Sequence, residues 1–336
     1  MRSKAGLVFG AALALLLGAA QVQAQGLFGP EAADSDCCNP TCAYLQVDGL
    51  FWTRNVPNDA LIVTTATGAT VNGDTTNSQS FNWQAAPRVT FGVVFGDPIA
   101  VEVSWFGFYD FQLSGTTTPL TAAQAASSSL PFNLAVATPL TTGETESFRY
   151  NSKLNSAELN LVHLNGSAVS FMIGFRYLNL TEDFNANLTT AAGAGAGRFA
   201  VHTDNNLFGG QVGVNVALPI GERLSISAAG KAGVFEALED QSTSGSFFNA
   251  AGTGPAARNA SSTTTAFVGE VGVFAHLRVT NWLTAHAGYD LMWIEGVALA
   301  PDQFRASNFA TGGAASVNTS GDIFLHGAQA GVEFRF

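Results

Sequence analysis

The feature that most constrains this chain is a period-two alternation that recurs about ten times, separated by connections that are by turns short and long. Val169–Leu178 is the cleanest instance. Val169, Phe171, Ile173, Phe175 and Tyr177 alternate there with Ser170, Gly174 and Arg176. Comparable alternation marks Tyr44–Thr53, Pro87–Phe95, Ile99–Phe111, Asn155–Leu164, Phe208–Leu218, Leu224–Glu236, Phe267–Val279, Leu283–Trp293 and residues 327–336. Side chains that switch sides at every residue are the mark of a β-strand with two unlike faces. No helical repeat of similar quality competes.

The connections carry as much information as the strands. Gly96-Asp97-Pro98, Asn165-Gly166-Ser167, Pro219-Ile220-Gly221-Glu222 and Thr280-Asn281 are tight, and the first three contain Gly or Pro turn chemistry. The others, roughly 54–86, 112–154, 179–207, 237–266 and 294–321, are long and rich in Thr, Ser, Ala, Gly and Asn. Strict alternation of short and long puts all tight turns and both chain ends at one rim of an up-and-down barrel, and all long loops at the other. That is the layout of a transmembrane β-barrel, and ten strands satisfies its even count. The expectation is an all-β, up-and-down antiparallel transmembrane β-barrel of about ten strands over residues 44–336, with short periplasmic turns and long external loops.

Alternation does not by itself say which face is outside, and a soluble secreted β-sandwich is the competing reading. Two features favour the membrane. The polar face is unusually rich in Gly (Gly92, Gly174, Gly213, Gly272, Gly288, Gly327, Gly331), which suits a crowded lumen. Tyr109, Tyr177 and Trp293 share the apolar parity near the long-loop ends, where an interfacial aromatic belt belongs. Within the membrane reading the charges fix the orientation. Asp48, Arg88, Glu102, Glu158, Arg176, Lys231, Glu270, Arg278, Asp290, Glu333 and Arg335 all have polar parity. An Arg or Lys facing lipid at the midplane costs about 2–4 kcal/mol. The sum, even with acids costing less, exceeds a typical stability of about 5–15 kcal/mol. These residues, with His286, are therefore expected to face the lumen.

Composition agrees. Charged residues are 12% of the chain, about half the level of a typical soluble protein. Outside the N-terminus no apolar run is long enough for a spanning helix. The first 24 residues read as an export signal, with Arg2 and Lys4, the apolar stretch Leu7–Ala20 and a small-x-small site at Val22-Gln23-Ala24. Without Arg2 and Lys4 the formal charge moves from −11 to −13, which disfavours nucleic acid as a partner. Residues 25–43 form a periplasmic segment holding Cys37, Cys38 and Cys42 in CCNPTC. An oxidising compartment favours one local disulfide among the three over a metal site, and the pairing stays open.

The closing strand GVEFRF resembles the C-terminal signature of bacterial outer-membrane barrels. The chain as a whole resembles the putative β-barrel porin family 7. The residues that carry this are AYLQVDGLFWTR at 43–54, GYDLMWIEGVALAPDQ at 288–303 and LHGAQAGVEFRF at 325–336. The resemblance implies outer-membrane localisation in a Gram-negative-type bacterium, contact with outer-membrane lipids, and recognition by the barrel-assembly machinery through Phe334 and Phe336. A basic residue often precedes the Pro-x-x-Gln-like end of the middle segment in that family; here Leu299 and Ala300 stand there.

The charges of polar parity are six acidic and five basic. Mixed signs favour internal ion pairing over a single-sign filter, and ten strands is near the size at which side chains fill the interior. The expected function is a porin with a narrow or partly plugged lumen for small solutes. The alternatives are a non-conducting structural barrel that displays loops, and a lipid hydrolase embedded in the outer membrane. The last would draw on His286 and Asp290, with Ser227 as nucleophile, but a catalytic triad is defined by geometry and not by residues spread along strands. Neither catalysis, a cofactor nor a metal is expected, and the oligomeric state is left open.

Overall fold

The computed structural model describes residues 41–56, 64–65, 80–95, 99–116, 128–129, 143, 145–164, 168–189, 195–247, 256–306 and 315–336. The expected export signal, Cys37, Cys38 and the tight connections at 96–98 and 165–167 lie outside the described residues. The strands are β1 (Thr41–Arg54), β2 (Thr64–Thr65), β3 (Gln84–Phe95), β4 (Ile99–Thr116), β5 (Ser128–Ser129) and β6 (Thr145–Leu164). They continue with β7 (Val169–Thr189), β8 (Gly195–Pro219), β9 (Leu224–Phe247), β10 (Ala256–Arg278), β11 (Leu283–Val297) and β12 (Gly321–Arg335). A short helix, α1 (Ala300–Ala306), stands between the last two.

Ten of these strands close into one barrel in the order β1-β12-β11-β10-β9-β8-β7-β6-β4-β3, and β3 pairs back onto β1. The two-residue strands β2 and β5 pair with each other. Neighbours in the barrel are antiparallel throughout, so this is the up-and-down topology. Closure runs through the two chain ends. Tyr44 to Arg54 pair with Arg335 back to Leu325. Beyond the last pair, the Phe336 N–H donates to the Ala43 carbonyl at 2.9 Å. A closed sheet leaves no open edge to be satisfied in lipid, and the bond at Phe336 carries the closure to the terminal residue.

The orientation of the wall is visible along β7. Phe171, Ile173 and Phe175 are exposed at 51%, 61% and 51%, whereas Arg176 is 1% exposed. The same outward apolar face continues in Val103, Leu159, Leu161, Val212, Val234 and Val273. Large apolar side chains outside and charges inside is the inverse of a soluble barrel. It is the arrangement lipid selects.

The strands are longer than their apolar alternation. β8, β9 and β10 have 25, 24 and 23 residues, whereas crossing lipid takes about 9–11. Much of what reads as loop at 112–154, 179–207 and 237–266 is therefore strand. The physical reason is clearest on β7 and β8, where the parity of hydrophobicity inverts along the strand. On β7 the outward set changes from Phe171, Ile173, Phe175 and Tyr177 to Asn179, Thr181, Asp183 and Asn185. Over the same stretch the inward set changes from Ser170, Gly174 and Arg176 to Leu178, Leu180 and Phe184, which are buried. β8 repeats it, with Val212, Val214 and Phe208 giving way outside to Asn206, Asp204 and His202, and Leu207, Val201 and Phe199 buried inside. Above this level the barrel wall meets water, and its interior combines apolar side chains with buried polar ones such as Glu182, Asn205 and Glu239.

One stretch of wall is not zipped. The β3–β4 ladder runs from Phe95↔Ile99 to Arg88↔Phe106 and stops, although β3 continues to Gln84 and β4 to Thr116. Pro87, the first residue past the last pair, has no N–H to donate, and Pro in sheets is confined to edges. β4 carries an irregularity between Phe108 and Phe111 in its ladder with β6, where it spends one extra residue. Bulges of this kind bend a strand and terminate pairing.

Candidate functional site in the barrel lumen

The inward side chains form successive layers. Nearest the tight turns lie Tyr44, Gln46, Asp48, Glu102, Ser227, His276, His286 and Glu333, all buried. The Tyr44 hydroxyl donates to the Glu102 carboxylate. Asp48 is bound by Gln46 Nε2 at 2.9 Å and by His286 Nε2. Ser227 Oγ and His276 Nε2 are 2.8 Å apart, and the His276 and His286 rings lie 5.6 Å apart. Arg335 Nε donates to Glu333 Oε1 at 2.8 Å.

The second layer is made of charges. Measured from the tight-turn ends of their strands, Arg88 is seven residues from Phe95, Glu158 six from Leu164 and Arg176 seven from Val169. Lys231 is seven from Leu224, Glu270 eight from Arg278 and Asp290 seven from Leu283. Spacings of six to eight residues on separate strands put them at similar height, within the roughly 9–11 residues that cross lipid. Glu270 is shared by Arg88 Nη2 at 3.1 Å and Arg176 Nη1 at 2.9 Å. Arg176 also reaches Glu158 at 3.4 Å, Lys231 Nζ reaches Glu158 at 3.0 Å, and Arg88 reaches Asp290 at 3.5 Å. Neutral side chains complete the layer. Gln211 and Asn160 donate to Glu158 Oε2 at 2.8 and 3.0 Å, Arg88 Nη1 donates to Gln329 at 3.0 Å, and Arg176 Nε donates to Ser156 at 2.9 Å. Three cations face three carboxylates, so the layer is neutral. A buried charge survives best when paired and hydrogen-bonded; Glu158 and Glu270 meet both demands, whereas Asp290 has the ion pair with Arg88 but no hydrogen-bond partner on either carboxylate oxygen.

The third layer is apolar. Trp52, Phe106, Phe108 and Phe111 pack with ring centroids 5.1 to 6.0 Å apart. Leu154, Leu178, Phe235, Met292 and Ile294 join the same buried cluster. The Arg88 guanidinium lies 5.0 Å from the Phe106 ring, a cation–π contact that ties the charged layer to the aromatic one.

The long-loop end is closed by the chain itself. At the end of β11 the segment Val297 to Ala300 turns into the barrel and is fully buried. Asn205 holds it from both sides, accepting from the Ala298 N–H at 2.7 Å and donating to the Ala298 carbonyl at 3.0 Å. Glu182 accepts from the Ala300 N–H at 2.9 Å, from Arg54 Nη1 at 2.7 Å and from the Tyr150 hydroxyl at 2.6 Å. Gln303 fastens the far end, donating to the Asn318 carbonyl at 2.7 Å and accepting its N–H at 2.8 Å. Positions Leu299 and Ala300, where the family resemblance implies a basic residue, are here part of this apolar plug.

Of the residues the sequence assigns to the lumen, Asp48, Arg88, Glu102, Glu158, Arg176, Lys231, Glu270, His286, Asp290 and Glu333 are buried inside the wall. Arg278 keeps the inward parity of His276 and is partly buried. It is the last residue of β10, at the tight-turn rim, and its Nη2 donates to the Glu222 carbonyl at 2.8 Å. Arg335 is also at the rim, on Glu333. The residues considered for hydrolysis sit on different partners: Ser227 on His276, His286 on Asp48, and Asp290 beside Arg88. Arg54, Tyr150, Glu182 and Asn205 are absent from the sequence assignment because they lie at or beyond the edge of the apolar alternation. The signal that could have found them is the continued buried period of Leu180, Glu182 and Phe184. Cys42 lies at the closing rim, with Sγ 3.4 Å from the Phe336 carbonyl.

Solved structures resemble the chain in fold alone. The outer membrane protease OmpT from Escherichia coli matches at 11% identity and a TM-score of 0.47, covering 88% of this chain and 96% of that one. The toluene transporter TbuX from Ralstonia pickettii matches at 10% identity and 0.32, over 88% and 90%. The outer membrane protein OprG from Pseudomonas aeruginosa matches at 14% identity and 0.31, over 88% and 95%. No curated protein matches the chain. The family described as Putative beta barrel porin-7 matches residues 44–336, from the strand that opens the barrel to the residue that closes it. A ten-stranded closed barrel, apolar toward lipid and charged within, thus belongs to the Putative beta barrel porin-7 family of outer-membrane β-barrel proteins.

Proposed function

We propose that this outer-membrane barrel is sealed, and that it acts through the wall and loops it holds outside the membrane and not by passing solutes. The observation that carries the reading is the neutral ion-pair layer of Arg88, Arg176, Lys231, Glu158, Glu270 and Asp290, all at most 9% exposed. An aqueous pore hydrates the charges that line it. These are instead paired across the lumen, roofed by an aromatic layer, and roofed again by the plug at Val297 to Ala300. Loops and strand extensions beyond the lipid band make up the part of the chain that a partner outside the cell would meet. No catalytic role enters this reading.

A second reading is slow passage of small solutes through a narrow lumen. Buried side-chain atoms of Ser170, Asn215 and Gln329 lack a hydrogen-bond partner, and such sites take up water. The two readings separate in proteoliposomes loaded with a small self-quenching dye and a small sugar. A sealed barrel leaves both inside at the rate of empty vesicles. Sugar efflux proportional to the amount of inserted protein would favour the narrow pore.

A further inference from the structure

A cleft of about 620 Å³ lies between the segment that leads into β3 and the upper part of β4. Ser80, Asn82 and Trp83 stand on one side of it, and Gln112 and Ser114 on the other. All five are exposed, whereas Phe81 and Leu113 beneath them are buried. Trp83 is 12 residues from Phe95 (95 − 83) and Gln112 is 13 from Ile99 (112 − 99). Both spacings exceed the roughly 9–11 residues that cross lipid, so the cleft faces water outside the membrane. Its size falls within the range of about 300–1,000 Å³ usual for small-molecule sites.

The chemistry of the lining narrows the occupant. Arg54, on the floor, is spent on Glu182 at 2.7 Å with both side chains fully buried, so the floor offers an anion no open cation. The backbone edge is spent as well. The Gln112 N–H donates to Asn82 Oδ1 at 2.8 Å, and the Gln112 carbonyl accepts the Asn82 N–H at 3.3 Å. An extended peptide therefore cannot add at Gln112 as a further strand. What is left is hydroxyl, amide and indole. The Ser80 and Ser114 hydroxyls and the Asn82 amide nitrogen have no protein partner among the described residues. The Trp83 indole is 46% exposed, with Phe51 stacked on it at 5.2 Å, and its height leaves that exposed area without an acyl chain to cover it. A pyranose ring has the matching chemistry: a face of C–H groups that covers an aromatic ring, and hydroxyls that both donate and accept. We propose that the cleft binds a neutral saccharide, with one ring on Trp83 and its hydroxyls bonded to Ser80, Asn82 and Ser114. The site lies outside the lumen and stands whether or not the lumen conducts.

The test is native mass spectrometry of the full-length barrel released from phosphatidylcholine nanodiscs. The probes are maltotriose, mannotriose and chitotriose free in solution, a dihexosyl glycerolipid added to the nanodisc, and trigalacturonate as an acidic control. A neutral adduct that falls at least tenfold in both Trp83→Ala and Ser114→Trp supports the site. The first variant removes the platform, and the second fills the cleft from an exposed position; the heat-modifiable shift reports that each barrel is intact. An adduct with a free trisaccharide assigns the site to soluble glycans, and one with the glycolipid alone assigns it to a headgroup of the external leaflet; either supports it. Absence of every neutral adduct from the unaltered protein overturns the proposal without recourse to any variant. A neutral adduct unchanged in Ser114→Trp, or trigalacturonate bound as well as the neutral probes, overturns it too.

Discussion

Glu270→Gln tests the physics of the mid-lumen layer. The substitution keeps the shape of the side chain and removes one charge. In the native layer Arg88, Arg176 and Lys231 balance Glu158, Glu270 and Asp290; the variant leaves three cations and two carboxylates. Glu270 is the acceptor that both guanidinium groups share, at 3.1 and 2.9 Å. Removing one partner of a buried pair costs about 3–5 kcal/mol, because the other charge stays buried and uncompensated. Arg88 keeps Asp290 at 3.5 Å and Arg176 keeps Glu158 at 3.4 Å, and the Gln carbonyl still accepts one hydrogen bond. The expected loss is therefore about 3 kcal/mol, the low end of that range. That is roughly a hundredfold in the folding equilibrium. Urea titration of the barrel refolded in lipid vesicles, read by the mobility shift between folded and heated protein, measures it. Replacing Arg176 and Glu270 together by Met should recover much of the loss, since well-packed apolar groups often replace a buried pair at little cost. A Glu270→Gln barrel within about 0.5 kcal/mol of the parent, the range of ordinary surface changes, would refute the reasoning.

Three other perturbations follow from the same structure. At Gly327 an added Cβ would lie 2.1 Å from the Phe51 carbonyl oxygen and 2.6 Å from Trp52 Cα; Gly327→Ala should cost about 1–3 kcal/mol, as overpacking does, in the same urea assay. Deleting Phe336 removes the bond to Ala43 that ends the closing ladder and should lower the heat-modifiable fraction recovered in membranes; insertion at the parental level would contradict this. Glu239 lies on the inward face above the lipid band, and burial pushes its carboxyl up to about 7 against a weaker opposing pull from the Thr264 hydroxyl. Its unfolded value is about 4.3, so between there and about 7 the unfolded chain gives up the proton first. The contribution of Glu239 to stability should then be full below about pH 4, fall as pH rises to about 7, and level off; the difference in melting temperature between the parent and a Glu239→Gln barrel should follow that step with pH.

The sequence made the membrane part of the fold legible and concealed the rest, for one reason. Within lipid the solvent outside is apolar, and Phe171, Ile173 and Phe175 stand out cleanly against Ser170 and Arg176. Past Tyr177 the solvent outside becomes water, so Asn179, Thr181 and Asp183 take the outward positions. Their polarity reads as loop unless the inward period of Leu180, Glu182 and Phe184 is followed across the inversion. Charges of the middle layer were found by parity alone, because each costs too much in lipid. Their pairing was not, since Arg88 and Glu270 are 182 residues apart and meet only when the barrel closes. The plug was missed for a different reason: Val297 to Ala300 has neither strand alternation nor enough length to read as a helix, and is buried only because Asn205 and Glu182 satisfy its backbone.

The proposed seal of the lumen has three levels: the charged layer, the aromatic layer and the plug. Single-channel recording of the purified barrel in planar bilayers tests it most directly, with insertion confirmed by the heat-modifiable shift. No steady openings are expected, either for the parent or for a variant in which residues 298–306 are replaced by a short Gly-Ser linker, because the charged and aromatic layers lie below the plug. Stable, stepwise conductance from the parent protein would contradict it.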